Sequence, residues 1–111
     1  MCGRFYDIHE LDDITSRFRV DRPRDLSLPL RYNVAPTQSV PVIRVEDDKR
    51  ELALMRWGLI PHWAADEKIG YKMINARAET VAEKPSYRKA YESRRLIVPA
   101  SGFYEWKVSA V

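Results

Sequence analysis

Residues 39–57 have the sequence SVPVIRVEDDKRELALMRW, and this stretch decides the fold. Large apolar side chains recur at every second residue, at Val40 and Val42 and again at Leu52 and Leu54, which is typical of strands with one buried face. The polar residues 47–50 separate the two runs, so the stretch predicts an antiparallel hairpin of residues 39–46 and 51–57. Pro41 lacks an amide proton, which places the first strand at a sheet edge or a bulge.

The segment before the hairpin has a helical pattern. Ile8, Leu11, Ile14 and Phe18 recur at steps of three and four residues, which puts them on one face of a helix. Asp7 precedes Glu10 by three residues, as in a capping box, so we expect the helix to begin after Asp7. Residues 22–29 are interpreted as a loop.

After the hairpin the chain mixes short elements. Residues 57–63 predict an aromatic turn, residues 73–77, 96–98 and 103–107 short strands, and residues 85–93 a short helix. Strands outnumber helices in a mixed order, which predicts an α+β fold with an antiparallel sheet that curls like a barrel. No later segment pairs with residues 103–107, so we expect an open sheet edge and self-association through it.

Composition excludes several classes of protein. The 111 residues suffice for one domain, and 19 basic against 16 acidic residues give a net charge of +3. No apolar run is long enough for a membrane span, and one cysteine excludes an internal disulfide and a multi-cysteine zinc site. No signal peptide is recognised, so an intracellular protein is expected. Residues 84–95 carry five basic residues and one acid, which fits a solvated helix face or a nucleic-acid contact.

Cys2 is the most informative single residue. Removal of Met1 would leave a free α-amine next to a thiol, and both groups are nucleophiles. Such a pair condenses with an aldehyde to an imine, which the thiol then closes to a five-membered thiazolidine. The alternative is that a cysteine at position two is an accident of the translation start.

Five ordered motifs resemble the SRAP (SOS-response-associated peptidase) family. They are Cys2-Gly3-Arg4-Phe5, Arg31-Tyr32-Asn33-Val34-Ala35-Pro36, Trp57-Gly58-Leu59-Ile60-Pro61-His62-Trp63, Asn75-Ala76-Arg77-Ala78-Glu79-Thr80 and Gly102-Phe103-Tyr104-Glu105-Trp106-Lys107. The resemblance implies a DNA-repair protein that senses abasic sites in single-stranded DNA and cross-links to them through the N-terminal cysteine. An opened abasic deoxyribose supplies the aldehyde that the chemistry of Cys2 requires.

The resemblance also implies roles for individual residues. Cys2, Asn75 and Glu105 match catalytic positions; the Asn75 amide would orient the sugar or the α-amine, and Glu105, between two aromatic residues and therefore expected to be partly desolvated, would transfer protons. The residues that match DNA-binding positions are Arg4, Asn33, Pro36, Trp63 and Arg77. The arginines would hold phosphates, although either could instead pair with Glu79 or Asp7, and Trp63 and Pro36 would line the DNA groove. Neither a metal nor another cofactor is implied.

One departure from the family concerns length. The family domain is about twice as long, and its second half supplies a histidine that has no counterpart here, so we expect the N-terminal portion of one SRAP domain with an incomplete site. A cysteine-type autopeptidase and a non-catalytic single-stranded-DNA-binding fragment stay open as alternatives. Trp57 is expected in the core, and His9 and His62 are not expected to be catalytic. A bacterial protein of this kind would be cytoplasmic and a eukaryotic one nuclear.

Overall fold

The computed structural model of the chain describes residues 2–23 and 27–108. In these ranges the chain forms a mixed series of short strands and helices. The elements are β1 (Phe5–Asp7), α1 (Leu11–Arg17), β2 (Arg22–Pro23), β3 (Arg31–Val34), β4 (Ser39–Glu46), β5 (Lys49–Arg56), a 3-10 helix (Glu67–Lys72), α2 (Arg88–Ser93) and β6 (Gly102–Phe103). The strands form two sheets, with the orders β3-β1-β6 and β2-β5-β4.

The predicted hairpin is confirmed, with a tighter turn than expected. The antiparallel register runs without a break from Ser39 opposite Arg56 to Glu46 opposite Lys49. The turn therefore consists of two residues, Asp47 and Asp48, whose φ angles are 51° and 59°. Aspartate tolerates this left-handed conformation, and two such residues in succession match the twist of a β-hairpin. Residues 49 and 50, expected in the connection, extend the second strand.

Both faces of the hairpin are covered. Ile43 and Leu52 lie on one face and pack with Ile14 of α1. The opposite face packs against the other sheet, and the buried members of that cluster are Phe5, Val34, Val40, Val42 and Ala53. Because strand side chains alternate between faces, the hairpin joins both apolar clusters. Strand β4 is the end strand of its sheet, as Pro41 predicts, and an isolated bridge joins Ile43 to Ile97 on its other side.

The first helix is shorter than its apolar pattern suggests. It begins at Leu11, and the predicted capping box is wrong: Glu10 is the N-cap residue and makes no side-chain cap hydrogen bond. Asp7 instead ends strand β1, and its Oδ1 accepts hydrogen bonds from the main-chain N–H and, at 2.6 Å, from Nδ1 of His9. Pairing of β1 with two strands outweighs the local helical signal, and Ile8 is left exposed.

Several other sequence predictions need correction. Residues 73–77 form no strand, and the second helix begins at Arg88, because residues 85–87 form a turn. The strand expected at 96–98 is reduced to the bridge at Ile97, and the strand expected at 103–107 to β6, because its register with β1 runs from Gly102 to Phe103 and the last main-chain bond to this segment joins Tyr104 to Arg4. Within the loop predicted for 22–29, β2 pairs in parallel with β5.

The α+β class is confirmed, and the sheets are antiparallel apart from the β2–β5 pair. Among the described residues the two sheets stay open, so closure into a barrel remains a prediction. The helices in this part of the chain are too short or too polar to cross a membrane.

Replacement of Leu52 by alanine tests the role of the hairpin in the core. Leu52 is completely buried, whereas Leu54 lies two residues along the same face of β5 and is 51% exposed. We expect Leu52→Ala to lower the free energy of unfolding by about 2 to 5 kcal/mol, because it leaves a cavity between α1 and the hairpin. Leu54→Ala is the matched control. Equal losses in the two variants, measured by urea denaturation, would contradict this account.

Candidate functional site

A hydrogen bond between distant parts of the chain fixes the N-terminal segment. Nδ2 of Asn75 donates to the main-chain oxygen of Cys2 at 2.8 Å, although the two residues are 73 positions apart. The half-buried Cys2 packs against the core cluster of the β3-β1-β6 sheet, and its Sγ donates to the main-chain oxygen of Arg4 at 3.8 Å. The Cys2 thiol and main chain are therefore held just before the start of β1 at Phe5.

Asn75 is itself held by aromatic residues. Its main-chain oxygen accepts a hydrogen bond from the Tyr87 hydroxyl at 3.1 Å, and the preceding Ile74 accepts one from Nε1 of Trp57 at 3.3 Å. Trp57 packs on Phe5 with ring centroids 5.2 Å apart, so the predicted core contact is present although Trp57 is half-buried. The irregular segment around Asn75 thus takes its position from side chains of the hairpin and of the turn before α2.

Gly58 sets the course of the chain after Trp57. Its φ is +123°, and a Cβ atom there would lie 2.5 Å from the main-chain oxygen of Gly70. The neighbouring Leu59 donates its N–H to the main-chain oxygen of Met73 at 3.0 Å. A residue without a side chain is needed for this close approach, which brings the chain that leads to Asn75 alongside the aromatic turn.

A groove lies at the edge of the β3-β1-β6 sheet. We call it the Arg4 groove; its volume is about 770 Å³ and its lining residues are Gly3, Arg4, Tyr32, Asn33, Tyr104, Glu105 and Trp106. Nη1 of Arg4 donates to Oδ1 of Asn33 at 3.2 Å, which orients the guanidinium across β3. The Tyr104 hydroxyl donates to the main-chain oxygen of Tyr32 at 2.7 Å and closes the groove from the opposite strand.

Glu105 is more accessible than its aromatic neighbours suggest. The sequence predicts a partly desolvated carboxylate, but Glu105 is exposed and Trp106 is 98% exposed. The strand ends at Phe103, and Glu105 lies in the segment beyond it, after Tyr104, whose hydroxyl bonds to Tyr32. The carboxylate therefore reaches the Arg4 groove from a segment that presents it to solvent.

The structure brings some of the eight proposed site residues together and leaves others apart. Arg4, Asn33 and Glu105 share the Arg4 groove, and Asn75 contacts Cys2. The other three are not among the lining residues of this groove: Pro36 is half-buried in the turn between β3 and β4, Trp63 is 54% exposed, and Arg77 lies exposed in a turn after Asn75.

Sequence reasoning missed the supporting residues of the site. Tyr87 lies 12 residues from Asn75 in an irregular segment. A pattern of apolar residues does not predict that its hydroxyl bonds to the main-chain oxygen of Asn75. The role of Tyr104 is similar, although the motif that contains Glu105 includes it. Asp7, weighed as an ion-pair partner of an arginine, pairs with His9.

The histidines have other partners than the thiol. Nδ1 of His9 contacts Asp7 and lies 3.4 Å from Oγ of Ser101, and His62 packs edge-on against Trp63 with ring centroids 5.0 Å apart. In the described part of the chain, no group of three or more histidine, cysteine, aspartate or glutamate side chains is arranged to hold a metal ion.

The fold and these motifs define a class of protein. The family model described as SOS response associated peptidase (SRAP) matches residues 1–110. The chain belongs to this family.

Relatives from bacteria and animals share the sequence. The chain is 55% identical over 109 residues to the abasic site processing protein YoqW of Bacillus subtilis, covering 96% of this chain and 48% of the relative. It is 33% identical over 111 residues to the abasic site processing protein YedK of Escherichia coli, covering 96% and 48%. Over 88 residues it is 38% identical to the abasic site processing protein HMCES of Xenopus tropicalis, covering 68% and 26%. The chain thus spans about half the length of its bacterial relatives.

Two crystal structures have the same fold over half of their length. A protein from Bacteroides thetaiotaomicron superposes with a TM-score of 0.79 at 28% identity, covering 97% of this chain and 50% of that one. A protein from Bordetella bronchiseptica superposes with a TM-score of 0.71 at 27% identity, covering 94% of this chain and 50% of that one.

Two isosteric substitutions test the hydrogen bond between Asn75 and Cys2. Asn75→Asp replaces the donor by an acceptor, so we expect the segment that contains Cys2 to open more often. A disulfide reagent should then label the Cys2 thiol about five-fold faster, because loss of a hydrogen bond of about 1 kcal/mol changes the opening equilibrium by that factor. Asn33→Asp is the control, because it adds the same charge but keeps the acceptor that Arg4 uses. Unchanged labelling in Asn75→Asp, or equal acceleration in both variants, would show that the bond does not hold Cys2.

Proposed function

We propose that this chain senses abasic sites in single-stranded DNA and forms a covalent thiazolidine cross-link to them through Cys2, after removal of Met1. The observation that carries the proposal is the hydrogen bond from Asn75 to the Cys2 main chain, which holds Cys2 next to Gly3 and Arg4 of the Arg4 groove. Membership of the SRAP family and the abasic site processing names of the relatives support it.

The chemistry of the cross-link follows from the aminothiol. The α-amine of Cys2 attacks the aldehyde carbon of the opened deoxyribose, and loss of one water molecule gives an imine. The thiol then adds across the carbon–nitrogen double bond: sulfur bonds to the former aldehyde carbon and the thiol proton ends on nitrogen. No oxidant or reductant is needed. The product is a five-membered ring that joins the protein to the sugar.

The neighbouring residues have separate roles in this proposal. Asn75 holds the Cys2 main chain so that amine and thiol face the same carbon, and Glu105 moves protons to and from the departing water. Arg4, oriented by Asn33, binds a phosphate beside the lesion, and Arg77 binds another. Trp63 and Pro36 offer surfaces on which bases next to the lesion stack.

Self-association is a further part of the proposal. Phe103 of β6 and, in the segment that follows it, Trp106 and Val108 have exposed fractions of 63%, 98% and 91%. Apolar side chains at a sheet edge favour pairing with another chain.

A cysteine peptidase is the alternative, because the family description contains that activity. A conventional cysteine peptidase pairs its thiol with a histidine. Among the described residues, His9 is bonded to Asp7 and His62 packs edge-on against Trp63, so the geometry favours the cross-link. Incubation with an abasic oligonucleotide separates the functions: a covalent adduct supports the cross-link, peptide cleavage the peptidase, and reversible binding alone a DNA-binding fragment.

Substitution of Cys2 is the direct test. We expect Cys2→Ala to abolish the heat-stable adduct with an abasic oligonucleotide while most reversible binding remains, because ring closure requires the thiol and the phosphate contacts do not. Cys2→Ser should be trapped weakly by borohydride, since an imine still forms. Denaturing gels measure the adduct, and intact mass reports whether Met1 has been removed. A heat-stable adduct of Cys2→Ala would overturn the proposal.

The response of binding to salt tests the phosphate contacts. Each neutralised phosphate contributes a slope of about 0.7 to the fall of log affinity with log salt on single strands. We therefore expect Arg77→Ala to reduce the measured slope by about 0.7 and intact duplex to bind more weakly than a single strand. Salt-insensitive binding, or equal affinity for duplex, would count against these contacts.

A further inference from the structure

A second groove, apart from the Arg4 groove, lies between α2 and the aromatic turn. Its volume is about 750 Å³, and Leu59, Ile60 and Pro61 contribute apolar surface to it. Trp63 stands at this surface with 54% of the residue exposed. We call it the α2 groove and define it by residues 59–61 and Trp63 on one side and the basic residues of 88–95 on the other.

The charge of the α2 groove is strongly one-sided. Its basic lining residues are Arg44, Arg88, Lys89, Arg94 and Arg95, and Glu46 is the acidic one. Glu46 is already paired with Nη1 of Arg44 at 3.4 Å, and Glu92 of α2 does not line the groove. Among the described residues, the side chains of Arg88, Lys89 and Arg94 have no carboxylate partner. The cationic side therefore has charge available for an anionic ligand.

Arg95, two residues beyond the end of α2, is held in place by Tyr91 of that helix. Its guanidinium carbon lies 3.9 Å from the centre of the Tyr91 ring, and its Nε donates to the main-chain oxygen of Tyr91 at 2.6 Å. A guanidinium that is already ordered loses less conformational entropy when it binds an anion.

Hydrogen bonds connect the α2 groove to the Cys2 site. Tyr87, the residue before α2, donates its hydroxyl to the main-chain oxygen of Asn75, and the side chain of Asn75 donates to Cys2. The helix that carries the basic residues is therefore anchored on the residue that holds the reactive cysteine. A ligand that reaches both places touches elements whose relative position is fixed.

From these observations we infer that the α2 groove is a second contact surface for single-stranded DNA, which takes the part of the strand beyond the lesion. Cationic side chains beside an exposed ring match a backbone of phosphates with unstacked bases, and a duplex would not present its bases to Trp63. This inference rests on the proposed function in one respect: the lesion is placed at Cys2, so that the rest of the DNA strand leads to the α2 groove. The groove itself requires no lesion, because it binds phosphates and base faces.

The test uses undamaged oligothymidylates of increasing length and fluorescence anisotropy over a range of salt concentrations. For the double variant Arg88→Glu with Arg94→Glu, we expect about ten-fold or greater loss of affinity for the longer strands and a salt slope lower by about 1.4, the share of two phosphates. Affinity should also stop increasing at a shorter strand length than in the unchanged chain. Lys68→Glu with Lys72→Glu makes the same charge change on the 3-10 helix, away from the groove, and should leave the length dependence intact.

Controls separate the outcomes. If the glutamate variant melts at a lower temperature, Arg88→Gln with Arg94→Gln removes the two charges without adding carboxylates, and the same loss of slope is expected. Equal effects of the α2 pair and the lysine pair, or duplex bound as tightly as single strands, would overturn the inference. The chain without substitutions, incubated with a short abasic oligonucleotide, tests the proposed function separately. If no adduct forms but the α2 substitutions still weaken binding to oligothymidylates, the cross-link is refuted and the α2 contact surface is not.

Discussion

The site depends on one hydrogen bond, from Nδ2 of Asn75 to the main-chain oxygen of Cys2. Chain ends fray unless something ties them down, and the α-amine proposed to react lies at such an end. A neutral hydrogen bond contributes about 1 kcal/mol, which is too little to hold a segment by itself. The contact is effective because Asn75 is already immobilised by Tyr87 and, through Ile74, by Trp57. The energy that orders the terminus therefore comes from the packing of aromatic side chains elsewhere.

The β4–β5 hairpin supplies that packing. One face of the hairpin packs against Ile14 of α1, and the other packs against Phe5. Within its own sheet, Phe5 pairs with Val34 on one side and with Phe103 on the other. Phe5 therefore connects the hairpin core to the sheet whose edge forms the Arg4 groove. Arg4 directly precedes Phe5, so burial of the Phe5 side chain fixes the position of Arg4 in the groove. The side chains of Arg4, Asn33 and Glu105 in the groove remain exposed.

The sequence predicted the parts of the fold that local patterns determine. Alternation in residues 39–57 was sufficient for the hairpin, and a helix near Ile14 followed from its apolar spacing. Contacts between distant residues decided the rest: pairing with two strands drew Asp7 into β1, and the short reach of β1 ended β6 at Phe103. The motifs named Arg4, Asn33 and Glu105, which share a groove, but they could not name Tyr87, because its partner is a main-chain atom. The roles of the eight site residues remain predictions.

In the proposed function, two contact surfaces for one strand would solve a kinetic problem of covalent capture. Formation of an imine and closure of a ring require the aldehyde to stay beside the amine, and a single deoxyribose without its base offers little surface to bind. Two linked contacts make the second binding event intramolecular, at an effective concentration of about millimolar for a short flexible connection. Phosphate and stacking contacts do not depend on the missing base, so they extend the time that the sugar spends at Cys2. The cationic α2 groove would thus increase the yield of the cross-link without touching the reacting atoms.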